Sequence, residues 1–239
     1  MNRRGLLSMG AATALTTMMG GYQSANAQTT TATTDNVRSL SSIDISNMDD
    51  QTRLVISHAI TNEGERNFAV ISKNNPRFYI IENGIVVASY AVGLGQNNAA
   101  DETNVNLTNK STPAGKFGVA ISAAPANISD RPAVLFHCNR AQTKCAAIHA
   151  TYLGEFAERS RRLETPTTTD NYFSNGCPNL APANQEAYLS FLQRHVGNGT
   201  HRFPYLYVLP HDTSVTRALF GIPANFGVSG ARNMAISAP

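Results

Sequence analysis

Cys177 stands alone inside Ser174-Asn175-Gly176-Cys177-Pro178, while the other two cysteines of this 239-residue chain, Cys138 and Cys145, lie close together. A cysteine attacks only as its thiolate. It therefore needs a base, a set of dipoles to hold a tetrahedral oxyanion, and a held substrate. Gly176 lets the backbone turn sharply ahead of Cys177, so that consecutive N–H groups can point at a substrate oxygen. Pro178 removes a donor and stiffens the exit of that turn. Of the six histidines, His149 is the base candidate, because it ends the apolar run Ala146-Ala147-Ile148. A strand end delivers such a side chain to the edge of a cleft. A His–Cys pair there is expected to lower the thiol pKa and favour the ion pair.

Plainer readings stand beside these. A lone cysteine next to glycine is more often a small buried hydrophobe than a nucleophile. A histidine at a strand end is commonly a satisfied polar group. His137, Cys138, Cys145, His149 and Cys177 are together also potential zinc ligands, although their spacing fits no common zinc pattern. The chain has no Walker A motif, no HExxH and no Gly-x-Ser-x-Gly elbow.

The first residues bear on the compartment. Arg3 and Arg4 precede an apolar stretch and then Ala25-Asn26-Ala27, the pattern of a secretory signal peptide over 1–27. Arg3-Arg4-Gly5-Leu6-Leu7 also has the form of a twin-arginine signal. The apolar stretch is too short and too rich in Thr, Gly and Ala to cross a bilayer. Export to the periplasm or cell envelope is the expectation. Formal charge is +3; without the two leader arginines, 17 basic residues face 16 acidic ones, leaving +1. Such a balance gives no footprint for nucleic acid or for an anionic membrane. An odd cysteine count in an exported chain asks for one pair and one free thiol. The economical solution bridges Cys138 to Cys145 and leaves Cys177 reduced.

The chain must also build elements that position these residues. Residues 28–48 are polar and low in large apolar side chains, so 28–65 reads as a flexible tether with a short helix over 50–63. Strands are expected at Phe68–Ser72, Arg77–Glu82, Ile85–Val92, Lys116–Ile121, Ala133–Phe136, Ala146–Ala150 and Tyr205–Leu209. Asn83-Gly84 marks a hairpin between the second and third. The stretch from Gly93 to Ser111 reads as a long loop. Pro182 opens a helix ending at Gly197, with Tyr188, Phe191, Leu192 and His195 at helical spacing. Residues 212–239 show no clear period and read as a C-terminal extension. The expected fold is mostly β, a sandwich or barrel-like sheet with a few short helices.

Residues 66–211 resemble the catalytic domain of the L,D-transpeptidase (YkuD-type) family. Thr112-Pro113-Ala114-Gly115-Lys116-Phe117 is similar to its Thr-Pro-x-Gly-x-Phe segment. His149, followed by Ser174-Asn175-Gly176-Cys177-Pro178-Asn179, is similar to its catalytic His and Ser-x-Gly-Cys signature. The chain departs from the commoner pattern, with Asn175 for His, Pro178 for Ile or Val, and Asn179 for Arg. The resemblance implies that Cys177 attacks the carbonyl of an L-centre followed by a D-residue in a peptidoglycan stem peptide. His149 takes the thiol proton, N–H groups of Gly176 and Cys177 hold the oxyanion, and Ser174 shapes the turn. Asn175, Asn179, Arg162 and Tyr172 fall to substrate binding. The side-chain amine of diaminopimelate then resolves the thioester into a cross-link. The donor is L-Ala, giving a 1,3 link, or diaminopimelate, giving a 3,3 link, and the missing Arg leans toward the smaller donor. A thioester conserves the energy of the cleaved amide, so no metal or organic cofactor is implied, and the protein is expected to be a monomer. Hydrolysis of stems by the same fold, or silent peptidoglycan binding, are the alternative functions.

Overall fold

The computed structural model describes residues 48–97, 109–123, 131–139, 145–151, 157–165, 167–196 and 203–227. The segments expected to be a signal peptide and a tether, up to residue 47, and the chain beyond 227 lie outside the described residues. Within them run the strands β1 (Phe68–Ser72), β2 (Arg77–Glu82), β3 (Ile85–Ala91), β4 (Leu94–Gly95), β5 (Gly115–Phe117) and β6 (Val119–Ser122). They are followed by β7 (Ala133–Cys138), β8 (Cys145–Ala150), β9 (Tyr172–Ser174), β10 (Asn179–Leu180) and β11 (Tyr205–Val208). The helices are α1 (Asp50–Thr61), α2 (Ala157–Glu164), α3 (Pro182–Arg194) and α4 (Thr216–Leu219).

One sheet has five strands in the order β3-β2-β1-β11-β5, and a second has four in the order β10-β8-β7-β6. A small pair, β4 with β9, completes the β structure. The fold is thus mostly sheet with four short helices, and no closed barrel forms among the described residues.

Every residue of β1 is buried, because the five-stranded sheet is covered on both faces. Ala69 and Ile71 join Phe78, Ile80, Leu206 and Val208 in a core shared with Val134, Phe136, Ala146 and Ile148 of the second sheet. Tyr188, Phe191 and Leu192 of α3 fill the same core. The alternate residues Phe68 and Val70 turn the other way, onto Leu54, Val55, Ile56 and Ala59 of α1. Phe220 and Ile222, after α4, enter this second core, so the start of the C-terminal extension packs on the sheet.

The helix expected over 50–63 runs Asp50–Thr61, with Asp49 as its N-cap. The Asp49 carboxylate accepts from the Thr52 N–H at 2.7 Å and from the Ser72 hydroxyl at 2.8 Å, which ties the helix entry to the end of β1. Asn83 and Gly84 take positive φ, +54° and +80°, at the hairpin between β2 and β3. The single strand expected over Lys116–Ile121 is instead two. β5 pairs with β11 and β6 pairs with β7, so the chain changes sheets at Gly118. α3 ends three residues short of Gly197, with His195 at its C-cap.

Cys138 and Cys145 are register partners across β7 and β8, and a disulfide joins them. Cys177 is the free cysteine. The bonded pair also removes two sulfurs from any zinc ligand set drawn from these residues. The bridge closes a short loop, for which chain entropy gives about 2–3 kcal/mol. Replacing both cysteines by serine should therefore lower unfolding stability in urea by about that amount. Thiol titration of the unfolded, non-reduced protein should find one group; three would overturn the bridge.

Candidate active site

β8 brings His149 to the site. Ala146 and Ile148 point into the core between the sheets, so strand alternation turns Cys145, Ala147 and His149 to the opposite face. β10 pairs with β8 in parallel, with Asn179 opposite His149 and Leu180 opposite Ala150. Backbone bonds from His149 N–H to Pro178 O, 3.2 Å, and from Thr151 N–H to Leu180 O, 2.8 Å, hold this register. Cys177 lies two residues before Asn179 and therefore at the same end of the same ladder. A backbone hydrogen bond links its thiol to Ala147, the neighbour of His149 on that face.

The turn carrying the thiol is pinned from several sides. Gly176 has φ +118°, a conformation that side-chain-bearing residues seldom adopt. Its N–H donates to Ser174 Oγ at 3.0 Å, and its carbonyl accepts from Thr112 Oγ1 at 3.0 Å. The same Thr112 hydroxyl accepts from the Gly95 N–H at 2.9 Å. Both Thr112 and Ser174 are buried. The expectation that the Gly176 N–H faces a substrate oxygen is not met, because Ser174 Oγ already holds it.

His149 is buried, with Nδ1 2.9 Å from Ala150 O and Nε2 3.0 Å from Asn179 Nδ2. A backbone carbonyl is thus the group that orients the imidazole. Asn179 Nδ2 also lies 3.4 Å from Cys177 O, so one amide nitrogen touches the His149 ring and the backbone of Cys177. Burial pushes the His149 pKa down, against the opposing bond to Ala150 O, and the Arg159 guanidinium pushes it further down. Burial pushes the Cys177 thiol up, with the Ala147 bond opposing. Cys177 keeps some surface as a residue, but its thiol lies deep. Both shifts favour a neutral thiol and a neutral imidazole. That reverses the ion pair expected from residue types, and the reason is desolvation.

The residues assigned to substrate binding separate. Asn179 is buried and turned onto His149. Asn175 is exposed at the tip of the turn. The Tyr172 hydroxyl donates to Lys73 O at 2.5 Å. Arg162 donates to Asp170 O at 3.2 Å, lies 3.6 Å from Glu158, and stacks over Phe173 with Arg159. Sequence reasoning passed over Lys73. It is buried at the end of β1, and its Nζ donates to Thr112 O at 3.1 Å. A lysine beside an apolar strand was the available signal. Gly93 is required by closeness: a Cβ there would stand 2.1 Å from the Phe173 ring.

Two outcomes follow from this geometry. Alkylation of Cys177 by iodoacetamide, followed against pH, should inflect above the ordinary cysteine range; an inflection at or below neutrality would refute the neutral pair. Thr112→Val keeps the shape but leaves Gly95 N–H and Gly176 O without their partner. It should cost about 1–3 kcal/mol in denaturant unfolding, and unchanged stability would show that the hydroxyl does not pin the turn.

No protein-family model matches the sequence, and no curated protein matches it. Several solved structures are similar to it. An L,D-transpeptidase fragment from Xylanimonas cellulosilytica is 13% identical, over 60% of this chain and 60% of that one, with a TM-score of 0.33. An L,D-transpeptidase of Enterococcus faecium is 13% identical, over 61% of this chain and 50% of that one, with a TM-score of 0.37. L,D-transpeptidase 3 of Mycobacterium tuberculosis is 14% identical, over 60% of each chain, with a TM-score of 0.37. The chain spans 60% or less of the length of these three structures. At this level of similarity the likeness adds nothing to the chemistry, which stands on the residues of the site.

Proposed function

We propose that this chain is a cysteine acyltransferase of the L,D-transpeptidase type, acting on peptidoglycan stem peptides outside the cytoplasm. One observation carries the reading: the β8–β10 register sets His149 and the Cys177 turn around a single amide nitrogen, that of Asn179. A structural cysteine needs no such company. Here a free thiol, an imidazole with a fixed tautomer and a glycine turn held by two hydroxyls converge.

In this reading the thiol stays protonated until an acyl donor arrives. His149 Nε2 then takes the proton as sulfur attacks the carbonyl of the L-centre, and the tetrahedral intermediate collapses to a Cys177 thioester. The imidazolium returns its proton to the departing amine. The side-chain amine of diaminopimelate on a second stem attacks the thioester, with His149 again as base, and restores the thiol. The donor is L-Ala or diaminopimelate. Both precede a D-residue, so one attack geometry serves either.

Purified protein incubated with cross-linkable stem peptides should yield dimers by mass spectrometry. Cys177→Ala should abolish them while the domain stays folded, and His149→Ala should slow the reaction at least about 10²-fold, the usual scale for a general base. Full activity in Cys177→Ala ends the reading. Trimmed monomers without dimers would make the protein a hydrolase of the same thioester chemistry.

A further inference from the structure

We infer that Asn179 is a positioning residue that occupies the basic nitrogen of His149 in the free protein and must cede it before Cys177 can be deprotonated. The geometry stands on hydrogen-bond chemistry alone, whereas its consequence for turnover rests on the acyltransferase reading.

A carbonyl oxygen only accepts, so the 2.9 Å contact to Ala150 O requires the hydrogen on His149 Nδ1. The neutral ring then has one in-plane lone pair, on Nε2. That lone pair faces Asn179 Nδ2 at 3.0 Å, and the other neighbour of the same nitrogen, Cys177 O at 3.4 Å, is also a pure acceptor. Two acceptors around one end of the amide identify that end as the nitrogen. The side chain is held in place as well. Asn179 is 2% exposed, and its backbone exchanges two hydrogen bonds with Gly93, N–H to O and O to N–H, each 2.8 Å. A surface residue waiting for substrate would have neither feature.

The lone pair that His149 would need for the Cys177 proton is therefore already taken by the Asn179 N–H, while the thiol itself is hydrogen-bonded to the backbone of Ala147. Activation moves the thiol proton from Sγ to Nε2, leaves the electron pair on sulfur, and turns the Asn179 N–H away. A donor peptide brings carbonyl oxygens that can replace Nε2 as the acceptor for that N–H. Thiolate formation is thereby coupled to substrate arrival, and the idle cysteine stays in its less oxidisable form. Arg159 of α2 is the charged group that lowers the pKa of the ring. β10 and α3 contribute the uncharged amides of Asn179 and Gln185, the latter on Ile148 O.

The test is the pH dependence of Cys177 alkylation by iodoacetamide in the full chain, for Asn179→Ala and Asn179→Leu, each with and without His149→Ala. Asn179→Ala frees Nε2 and should move the inflection down. The rate near neutrality rises about tenfold for each unit moved. Asn179→Leu keeps the size and removes the N–H, so it also frees Nε2 and its inflection should likewise move down. In the His149→Ala background the alanine effect should vanish. A profile superposing on wild type overturns the inference. So does a uniform acceleration with the inflection unmoved, which is mere loosening of the turn. Should Asn179→Ala fail to fold, the near-isosteric Asn179→Leu decides alone. Absence of dimers from the wild-type protein would count against the acyltransferase reading and leave the alkylation result standing.

Discussion

The parallel pairing of β10 with β8 is the constraint on which the site depends. β10 is only two residues long, yet it sets where the thiol stands relative to the imidazole. Side chains alternate along a strand, so a slip of one residue would send Asn179 and the approach to Cys177 to the opposite face. Several independent contacts prevent that slip. Leu180 is fully buried in the core between the sheets, and Gly93 bridges to Asn179 from the other side. Behind them, Gln185 of α3 donates to Ile148 O at 3.2 Å, fastening the helix that follows β10 to the strand beside it.

Given that register, the electrostatics follow from burial rather than from residue type. In water the thiol, with a pKa of about 8.5, already keeps its proton against an imidazole of about 6.5, and only specific partners of the ions can reverse that. Here both groups lie deep, and each loses more in hydration than its single backbone bond returns, so the shifts run toward neutrality. Arg159 acts in the same direction on His149, since a nearby cation disfavours imidazolium. On the proposed acyltransferase reading, such a pair transfers its proton during attack, not before it.

What was legible in the sequence were the elements with enough length to show a period or a sharp turn signal. The β2–β3 hairpin was readable because Asn83-Gly84 tolerates positive φ. α3 was readable because proline opens it and Tyr188, Phe191 and Leu192 share a face. α2 was not foreseen: five of the eight residues of Ala157–Glu164 are charged and it buries only Leu163, so it has no apolar stripe to find. β4, β9 and β10 are two or three residues long and carry no period at all. β5 and β6 read as one strand because nothing in their composition announces a change of sheet at Gly118. For the site, residue types identified Cys177 and His149 as candidates. They could not reveal that the Asn179 amide is spent on His149, because that depends on a register between two strands thirty residues apart.

Lys73 shows how the rest of the fold reaches this turn. A buried ammonium is costly to desolvate and is kept only where hydrogen bonds repay it. Its Nζ donates to Thr112 O, and the hydroxyl of the same threonine holds Gly176 O and the Gly95 N–H. The Lys73 carbonyl meanwhile accepts from Tyr172, two residues before the Ser174 that holds the Gly176 N–H. Both sides of the Cys177 turn are therefore tied to one residue at the end of β1, the central strand of the other sheet. A shift at that strand end would pull on Gly176 through Thr112 and on Ser174 through Tyr172 together. The position of the thiol thus depends on the docking of the five-stranded sheet as well as on the strand that carries His149.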